Sequence, residues 1–406
     1  MRKISEREML AALWGGAVLG GGGGGDPKAG YRLGKAALER GEVLLASVDE
    51  IDPEGVVVTA GLVGSPKAGG LGPDPESYVD AFLILEKVAS LKIAAVNSNE
   101  SGGVATVNGW LQASGLGVPV VDAPCNGRAH PTALMGGLGL HRDPSYISRQ
   151  AACGRKSRLY VEGSIEDTSA LVRALAAREG LVAVARNPVK AAYLGKHGAK
   201  GAISTAIELG KAMADVIQER FNLDPLKPEF VGDIPADVGS TSRASPASGS
   251  VVMQTCESAP AVLDRWPGYV AAKTSAGFLG GELVCTGEVT EVSIETKGGF
   301  DVGKVLIREF SGNAGTYEIA FMNEYLTLEV DRKTLFSFPD LIAVFDLNAA
   351  WPVSSAEIRE GQKVAVLGVP GERLSLGSGM YDKSLYAPLE EATGKTFRVP
   401  ERGEKR

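Results

Sequence analysis

The chain has 406 residues, 44% hydrophobic and 22% charged, which is the composition of a folded globular protein. Its net charge of -7, with no basic block, argues against nucleic acid as a partner. No apolar run reaches the ~18 residues of a membrane-spanning helix. The length exceeds one ordinary core and predicts two domains.

Ser5 and Glu8 form a capping-box start for a helix through Met9, Leu10, Leu13 and Trp14. Arg2 and Lys3 before this apolar stretch imitate a signal peptide, but Glu6 and Glu8 interrupt it, so it reads as a helix. The helix runs into six glycines, Gly20 to Gly25. Asp26 and Pro27 then stand as N-cap and first residue of a second helix ending near Arg40 and Gly41. Apolar runs at Val43 to Ala46 and Val56 to Val63 predict strands, and a helix near Pro75 to Ser90 leads to a strand at Ile93 to Val96. A helix from Gly103 to Ala113 leads to a strand at Val118 to Val121. Leu159 to Glu162 (strand), Thr168 to Glu179 (helix), Leu181 to Ala185 (strand) and Ala202 to Phe221 (helix) follow. This alternation predicts an α/β layered domain with a largely parallel sheet over residues 1–231.

Residues 232–281, rich in Gly, Ser, Pro, Ala and Thr up to about Ser250, read as a linker or functional loop. From Glu282 the pattern alternates. Gly298-Gly299 reads as a turn, and apolar runs recur at Lys304 to Ile307, Tyr317 to Phe321, Tyr325 to Val330, Leu341 to Phe345 and Val364 to Leu367. Residues 282–390 are therefore expected to form a smaller, mostly antiparallel β domain, followed by a polar tail at 391–406. Four unevenly spaced cysteines do not suggest a disulfide framework, so a reducing cytoplasm is expected.

Chemistry concentrates just after the Val118 to Val121 strand. Asp122, Cys125, Asn126, Arg128 and His130 follow within a few residues, with His141 and Cys153 beyond; strand ends are where α/β folds place functional loops. Arg128 is the natural reader of a substrate carboxylate, because its fork binds two oxygens at once, and Asn126 joins it as a substrate-binding candidate. The alternative for Arg128 is an internal salt bridge. Thiolate and imidazole suit Zn²⁺ or another divalent metal, which makes Cys125, His130 and Asp122 the candidate ligands. The spacings match no standard zinc ribbon or finger, and buried structural cysteines are the plain alternative. Arg155 and Lys156 should lower the pKa of Cys153, the better nucleophile candidate of the two.

A second polar loop, Asn97 to Gly103, follows the Ile93 to Val96 strand. If both strands share a parallel sheet, the two loops open on one edge, and Glu100 becomes a candidate base or metal ligand. Asp122 is the other catalytic carboxylate candidate, and a helix cap is the plain alternative for the Glu100 loop. The polyglycine run lacks a Gly-Lys-Ser/Thr ending and follows a helix, and Asp26 would repel a phosphate, so no nucleotide cofactor is expected. It is either a flexible connection or a backbone wall that places Gly24, Gly25 and Asp26 against a ligand. No Gly-x-Ser-x-Gly elbow marks a serine hydrolase, and the Ser245, Ser248, Gly249 stretch looks like linker.

Several motifs occur in an order that carries further information: Leu19 through Pro27, Gly64-Ser65-Pro66, Glu100-Ser101-Gly102-Gly103, and Asp122 with Gly127-Arg128-Ala129-His130-Pro131. Gly201-Ala202-Ile203-Ser204 with Ile207-Glu208-Leu209-Gly210, Gly298-Gly299-Phe300, Asn323-Glu324 and Pro339-Asp340-Leu341-Ile342 follow. With them the chain resembles the S-methyl thiohydantoin desulfurase-like family, which is often associated with hydantoinase and oxoprolinase-type enzymes. The resemblance implies an N-terminal α/β domain and a smaller β-rich C-terminal domain. It also implies release of sulfide from a thiohydantoin ring bearing a carboxylate tail, as in ergothioneine breakdown. Two mechanisms would suit the candidates. Cys153 attacks the ring carbon covalently, or a metal held by some of Glu100, Asp122, Cys125 and His130 activates water and accepts sulfur. The expected partner is a small-molecule substrate, with a homo-oligomer as an open option. A non-catalytic hydantoin sensor, or a partner subunit of a hydantoinase complex, is the alternative function.

Overall fold

A computed structural model describes residues 1–64, 72–232, 263–297, 300–311 and 315–399. The Gly298-Gly299 turn, Ser65-Pro66, the Ser245 to Gly249 stretch, Cys256 and the last part of the tail lie outside the described residues.

Among the described residues, fifteen strands form two sheets. The first contains β1 (Arg2–Lys3), β2 (Leu44–Ala46), β3 (Val56–Gly64), β4 (Ile93–Ser98), β5 (Val120–Val121), β6 (Ser148–Cys153), β7 (Arg158–Gly163) and β8 (Leu181–Lys190). Its order is β1-β2-β5-β4-β3-β8-β6-β7. The middle strands β2, β5, β4 and β3 are parallel, while β1 and the β8-β6-β7 flank are antiparallel to their neighbours. Helices cover the apolar faces of this sheet, as parallel strands require. The second sheet runs β13-β12-β11-β10-β9-β15-β14 and is antiparallel throughout. It comprises β9 (Glu282–Lys297), β10 (Phe300–Glu309), β11 (Thr316–Met322), β12 (Glu324–Val330), β13 (Lys333–Ser337), β14 (Leu341–Asp346) and β15 (Lys363–Val369).

Helix α1 (Glu6–Gly20) starts at the Ser5/Glu8 capping box and is buried along most of its length. It lies against α7 (Ala202–Phe221), and the fit depends on missing side chains. A Cβ on Gly15 would run into the Ala206 carbonyl, and one on Gly210 into the Ala11 carbonyl. Asp26 caps α2 (Pro27–Arg40) by accepting the Lys28 N–H at 2.9 Å. The region expected to be a linker contains a helix, Pro267–Leu279, whose Val270, Ala271 and Ala272 are buried in the main core. That core also holds α1 and α7 residues and Leu341, Ala343 and Leu367 of the second sheet, so the two sheets are joined through shared packing. Trp14 of α1 meets Trp351 edge-on, with ring centroids 4.1 Å apart. No helix among the described residues is long and apolar enough to cross a membrane.

Candidate active site at the joint between the two sheets

β4 and β5 lie side by side and parallel, so the loops after them leave the same edge of the sheet. Backbone bonds stitch the two loops together: Cys125 N–H donates to the Ser98 carbonyl (3.0 Å) and Asn126 N–H to that of Asn99 (3.2 Å). Glu100 stands two residues beyond β4. Its Oε2 accepts the backbone N–H of His130 at 3.2 Å and lies 3.2 Å from His130 Nε2. His130 Nδ1 lies 2.9 Å from the Thr132 carbonyl, an acceptor only, so Nδ1 carries the ring proton and Nε2 presents a lone pair to Glu100.

Electrostatics polarise this pair. Burial pushes the Glu100 carboxyl up to about 7, against the lowering influence of the His130 N–H, Arg186 and Arg128. Burial, with the positive charge of Arg186, pulls the His130 imidazole down to about 3, so it is neutral at ordinary pH. Asn99 holds the arrangement in register. Its Oδ1 accepts a hydrogen bond from Arg186 Nη2, which turns its Nδ2 toward His130 Nε2 (3.3 Å) and Glu100 Oε2 (3.5 Å).

The second carboxyl comes from the other sheet. Glu324, the first residue of β12, is 3% exposed, and its Oε2 has no hydrogen-bond partner. Its pKa is raised well above the usual carboxylate value, by burial first and then by the charge of Glu100, while Arg128 opposes the rise. Glu324 lies directly on the polyglycine run: a Cβ on Gly23 would fall on its carboxylate, and one on Gly22 would fall 2.6 Å from the Tyr325 ring. Gly24 has a left-handed φ of +73°, and a Cβ on it would sit 2.5 Å from the Gly102 Cα. Its carbonyl accepts the N–H groups of Val104 (2.9 Å) and Ala105 (3.0 Å), and that of Gly21 accepts the Tyr325 N–H (2.7 Å). The run is thus a packed backbone wall touching both sheets, and the flexible-connection reading is set aside. Asp26 is spent on capping α2, and Gly25 closes on Val104, whose side chain lies 2.9 Å from where its Cβ would be.

Arg128 is fully buried, but its donors are used internally. Nη1 donates to the carbonyls of Asp340 and Pro339 (the latter at 3.2 Å), Nη2 to Tyr325 (3.5 Å) and Nε to Ala129 (3.1 Å). The guanidinium also stacks on Phe338, 4.6 Å from the ring centroid. Reading a substrate carboxylate is therefore not its task in this geometry; it ties the Asp122–His130 loop to the second sheet. Asn126 sits at the same joint, accepting the Gly377 N–H at 3.2 Å and leaving its Nδ2 unpaired.

Other expected residues lie elsewhere. Asp122 caps α7, its Oδ1 accepting the N–H groups of Ile203 (2.8 Å) and Ser204 (3.2 Å), which is a structural role. His141 pairs with Asp382 at 2.7 Å. Cys153 is in β6 and belongs to the core with Val58, Ala60 and Val96, whereas Cys125 packs with Val57, Ala95 and Val121. Alternation along a strand places these sets on opposite faces of the sheet. Burial pushes the Cys153 thiol up to about 11, reversing the expected activation, and only Arg158 opposes this among cations. Among the described residues, no three His, Cys, Asp or Glu side chains converge on a site that would hold a metal ion, so the set of Cys125, His130 and Asp122 does not assemble.

Sequence reasoning passed over a buried polar row. Asn97 of β4, Thr59 of β3, Arg186 of β8 and Gln150 of β6 pair in register across the sheet. Cys125 Sγ lies 3.4 Å from both Thr59 Oγ1 and Asn97 Nδ2. Burial raises its pKa, against the Thr59 contact and the Arg186 charge.

Family models match both halves of the chain: the S-Me-THD-like N-terminal domain over residues 8–153 and the S-Me-THD-like C-terminal domain over residues 248–376. The chain belongs to the S-Me-THD-like family. Both sides of the candidate site fall inside the matched ranges, Glu100, Arg128 and His130 in the first and Glu324 in the second. The fold is similar to the crystal structure of a protein from Chromobacterium violaceum, 19% identical, with a TM-score of 0.65 over 96% of this chain and 97% of that one. No curated protein matches the chain.

Proposed function

We propose that this S-Me-THD-like protein hydrolyses a thiohydantoin or closely related ring, exchanging the ring sulfur for oxygen and releasing sulfide. One observation carries the reading: two carboxyls, the partly buried Glu100 and the buried Glu324, come from opposite sheets, and the surroundings of both push their pKa values above the ordinary range. Environments that separate two such groups assign an acid and a base. Glu324, raised by burial and by the charge of Glu100 and with an Oε2 that no hydrogen-bond donor meets, holds its proton and serves as the acid. Glu100, with a pKa near neutrality, is the base, and the bare Nε2 of His130 accepts a hydrogen bond from the carboxyl once it takes up a proton.

In the reaction, a water oxygen bonds to the thiocarbonyl carbon while one water proton passes to Glu100. Glu324 protonates the sulfur, the C–S bond breaks as Glu100 passes its proton to the departing sulfur, and the remaining hydroxyl proton passes to Glu324 as the carbonyl forms. Thiocarbonyl plus water thus becomes carbonyl plus hydrogen sulfide, with no covalent enzyme intermediate. The family membership supports the ring class, and the paired carboxyls support hydrolysis.

The test is sulfide release from a panel of thiohydantoins by the purified chain before and after chelator treatment, with binding of hydantoins and oxoproline followed alongside. Release that survives chelation and falls by ~10²–10⁴ in both Glu100→Gln and Glu324→Gln is expected. Tight hydantoin binding without turnover would instead identify a binding module, and release lost on metal removal would overturn the metal-free route.

A further inference from the structure

Among the described residues the two sheets have four edges, and three of them are closed. β1, at one end of the eight-stranded sheet, is two residues long. In the second sheet, β13 carries Lys333 and a register shift against β12. β14 is covered by the chain that follows it: Val353 N–H donates to the Val344 carbonyl (2.7 Å) and Asp346 N–H to the Trp351 carbonyl (3.3 Å). Short strands, lysines, irregularities and covering segments are the means by which folded chains keep bare edges from pairing with one another. β7 has none of them. It ends the eight-stranded sheet as Arg-Leu-Tyr-Val-Glu-Gly, with no proline, no lysine and no register shift against β6.

The hairpin that joins β6 to β7 fixes which backbone groups face outward. Gly154 N–H donates to the Ser157 carbonyl (3.0 Å), so the hydrogen-bonded pairs with β6 recur at Leu159, Val161 and Gly163, every second residue. The N–H and carbonyl groups of Arg158, Tyr160 and Glu162 therefore point away from β6, and among the described residues they enter no other backbone hydrogen bond. We propose that β7 is the contact between two copies of this chain, paired antiparallel about a two-fold axis at Tyr160. Only in that register does each of the three outward residues find an outward residue opposite. Tyr160 meets Tyr160 of the second copy, and Arg158 meets Glu162 at both ends, so opposite charges face each other twice. Their side chains are 42% and 56% exposed, and each now has a surface partner, Asp80 (3.2 Å) and Arg149 (3.5 Å), of a kind that holds weakly. On the other face, Leu159 and Val161 pack with Leu175 of α5 (Ile165–Glu179), and Leu171, one turn earlier on that helix, is 51% exposed. Pairing sets Leu159 of one copy opposite Val161 of the other and continues this apolar strip across the axis. A strand that complements itself in charge and in apolar pattern is what a two-fold contact needs, because one patch serves both subunits. The two eight-stranded sheets then join into one. The contact requires nothing of the proposed reaction.

Sedimentation velocity of the full chain over a range of concentrations reads the assembly. A dimer of twice the 42.2 kDa chain mass is expected, with hydrogen exchange at the Tyr160 and Glu162 amides slowing as concentration rises. Glu162→Arg sets Arg158 against a like charge at both ends and should weaken dimerisation by ~10–100-fold. Arg158→Glu combined with Glu162→Arg exchanges the two charges and should restore the dimer, a rescue that the register centred on Tyr160 requires. Both positions are exposed, so these variants should fold and unfold at temperatures close to that of the parent. Tyr160→Pro removes the outward N–H from the centre of each edge, where no bond to β6 is lost, and should leave a monomer. A parent that sediments as a monomer at every concentration would overturn the second copy as the occupant of this edge. A dimer unchanged by Glu162→Arg would place the contact elsewhere, and a folded double variant as weakly associated as Glu162→Arg would refute the register.

Discussion

The Glu100→Gln variant should invert its stability relative to the parent as pH changes. In the folded chain the Glu100 carboxyl keeps its proton up to about 7, against an ordinary value of 4.5. Between those values the folded state binds more protons than the unfolded state, so stability falls as pH rises through the window. Well above pH 7 the ionised, buried carboxylate costs the fold about 3 kcal/mol. Glutamine never ionises, so it escapes that cost, but its amide nitrogen cannot replace the oxygen that accepts the His130 N–H while facing Nε2. Losing that bond costs about 1 kcal/mol. Glu100→Gln should therefore be about 1 kcal/mol less stable than the parent below pH 5 and about 2 kcal/mol more stable at pH 9. Calorimetric unfolding temperatures for both proteins from pH 5 to 9 give the comparison, with two domains making the temperature a safer measure than a single extrapolated free energy. A difference that stays constant across this range would mean that Glu100 titrates normally, and the assignment of a near-neutral base would fall with it.

Two further expectations concern residues that the structure moves out of the site. Cys153→Ser should retain sulfide release and lose about 1–3 kcal/mol of stability, because it buries a hydroxyl among Ala151, Ala183 and Ala185; abolished turnover in a folded variant would restore the covalent route. Asp122→Ala should cost about 1 kcal/mol through the lost α7 cap. Its kcat should be unchanged, and a large fall in kcat in the steady-state assay would place the carboxylate back in the chemistry.

What was legible in the sequence was mostly local. The Ser5/Glu8 box, the Asp26-Pro27 cap and the alternation after Glu282 each describe neighbours along the chain, and each has its counterpart in the fold. β6 was not legible, because Ser-Arg-Gln-Ala-Ala-Cys lacks the β-branched and aromatic residues that mark strands. Without that strand, the visible feature of Cys153 is its place beside Arg155 and Lys156. The Pro267–Leu279 helix looked like linker for the opposite reason: its small residues are what allow close packing, with Gly268 set against the Asp346 carbonyl. Arg186 stands immediately after an apolar run, and a charge in that position is a usable signal of a buried polar site that periodicity alone passes over. Glu324 has no visible role in the Asn323-Glu324 motif, because its place against Gly23 and within reach of the Glu100 charge depends on how the two sheets dock.

Docking gives Arg128 its meaning and separates two accounts of the site. As a reader of substrate carboxylate, Arg128 would lose binding when replaced by lysine: KM for carboxylated substrates would rise, while kcat and turnover of neutral rings would hold. The structure instead spends its guanidinium on carbonyls at Tyr325, Pro339 and Asp340 and on the face of Phe338, within a segment that begins one residue after Glu324. A lysine ammonium is a compact point charge that cannot span this fork of acceptors or stack on the ring. Arg128→Lys should therefore loosen the contact that holds Glu324 against Gly23. It should lower kcat for charged and neutral substrates alike, by about 10–100-fold if Glu324 loses its alignment. Faster hydrogen exchange at the Tyr325 amide, which donates to the Gly21 carbonyl across the joint, should accompany the loss. A KM-only effect confined to carboxylated substrates, with Tyr325 exchange unchanged, would refute the joint and return Arg128 to the ligand.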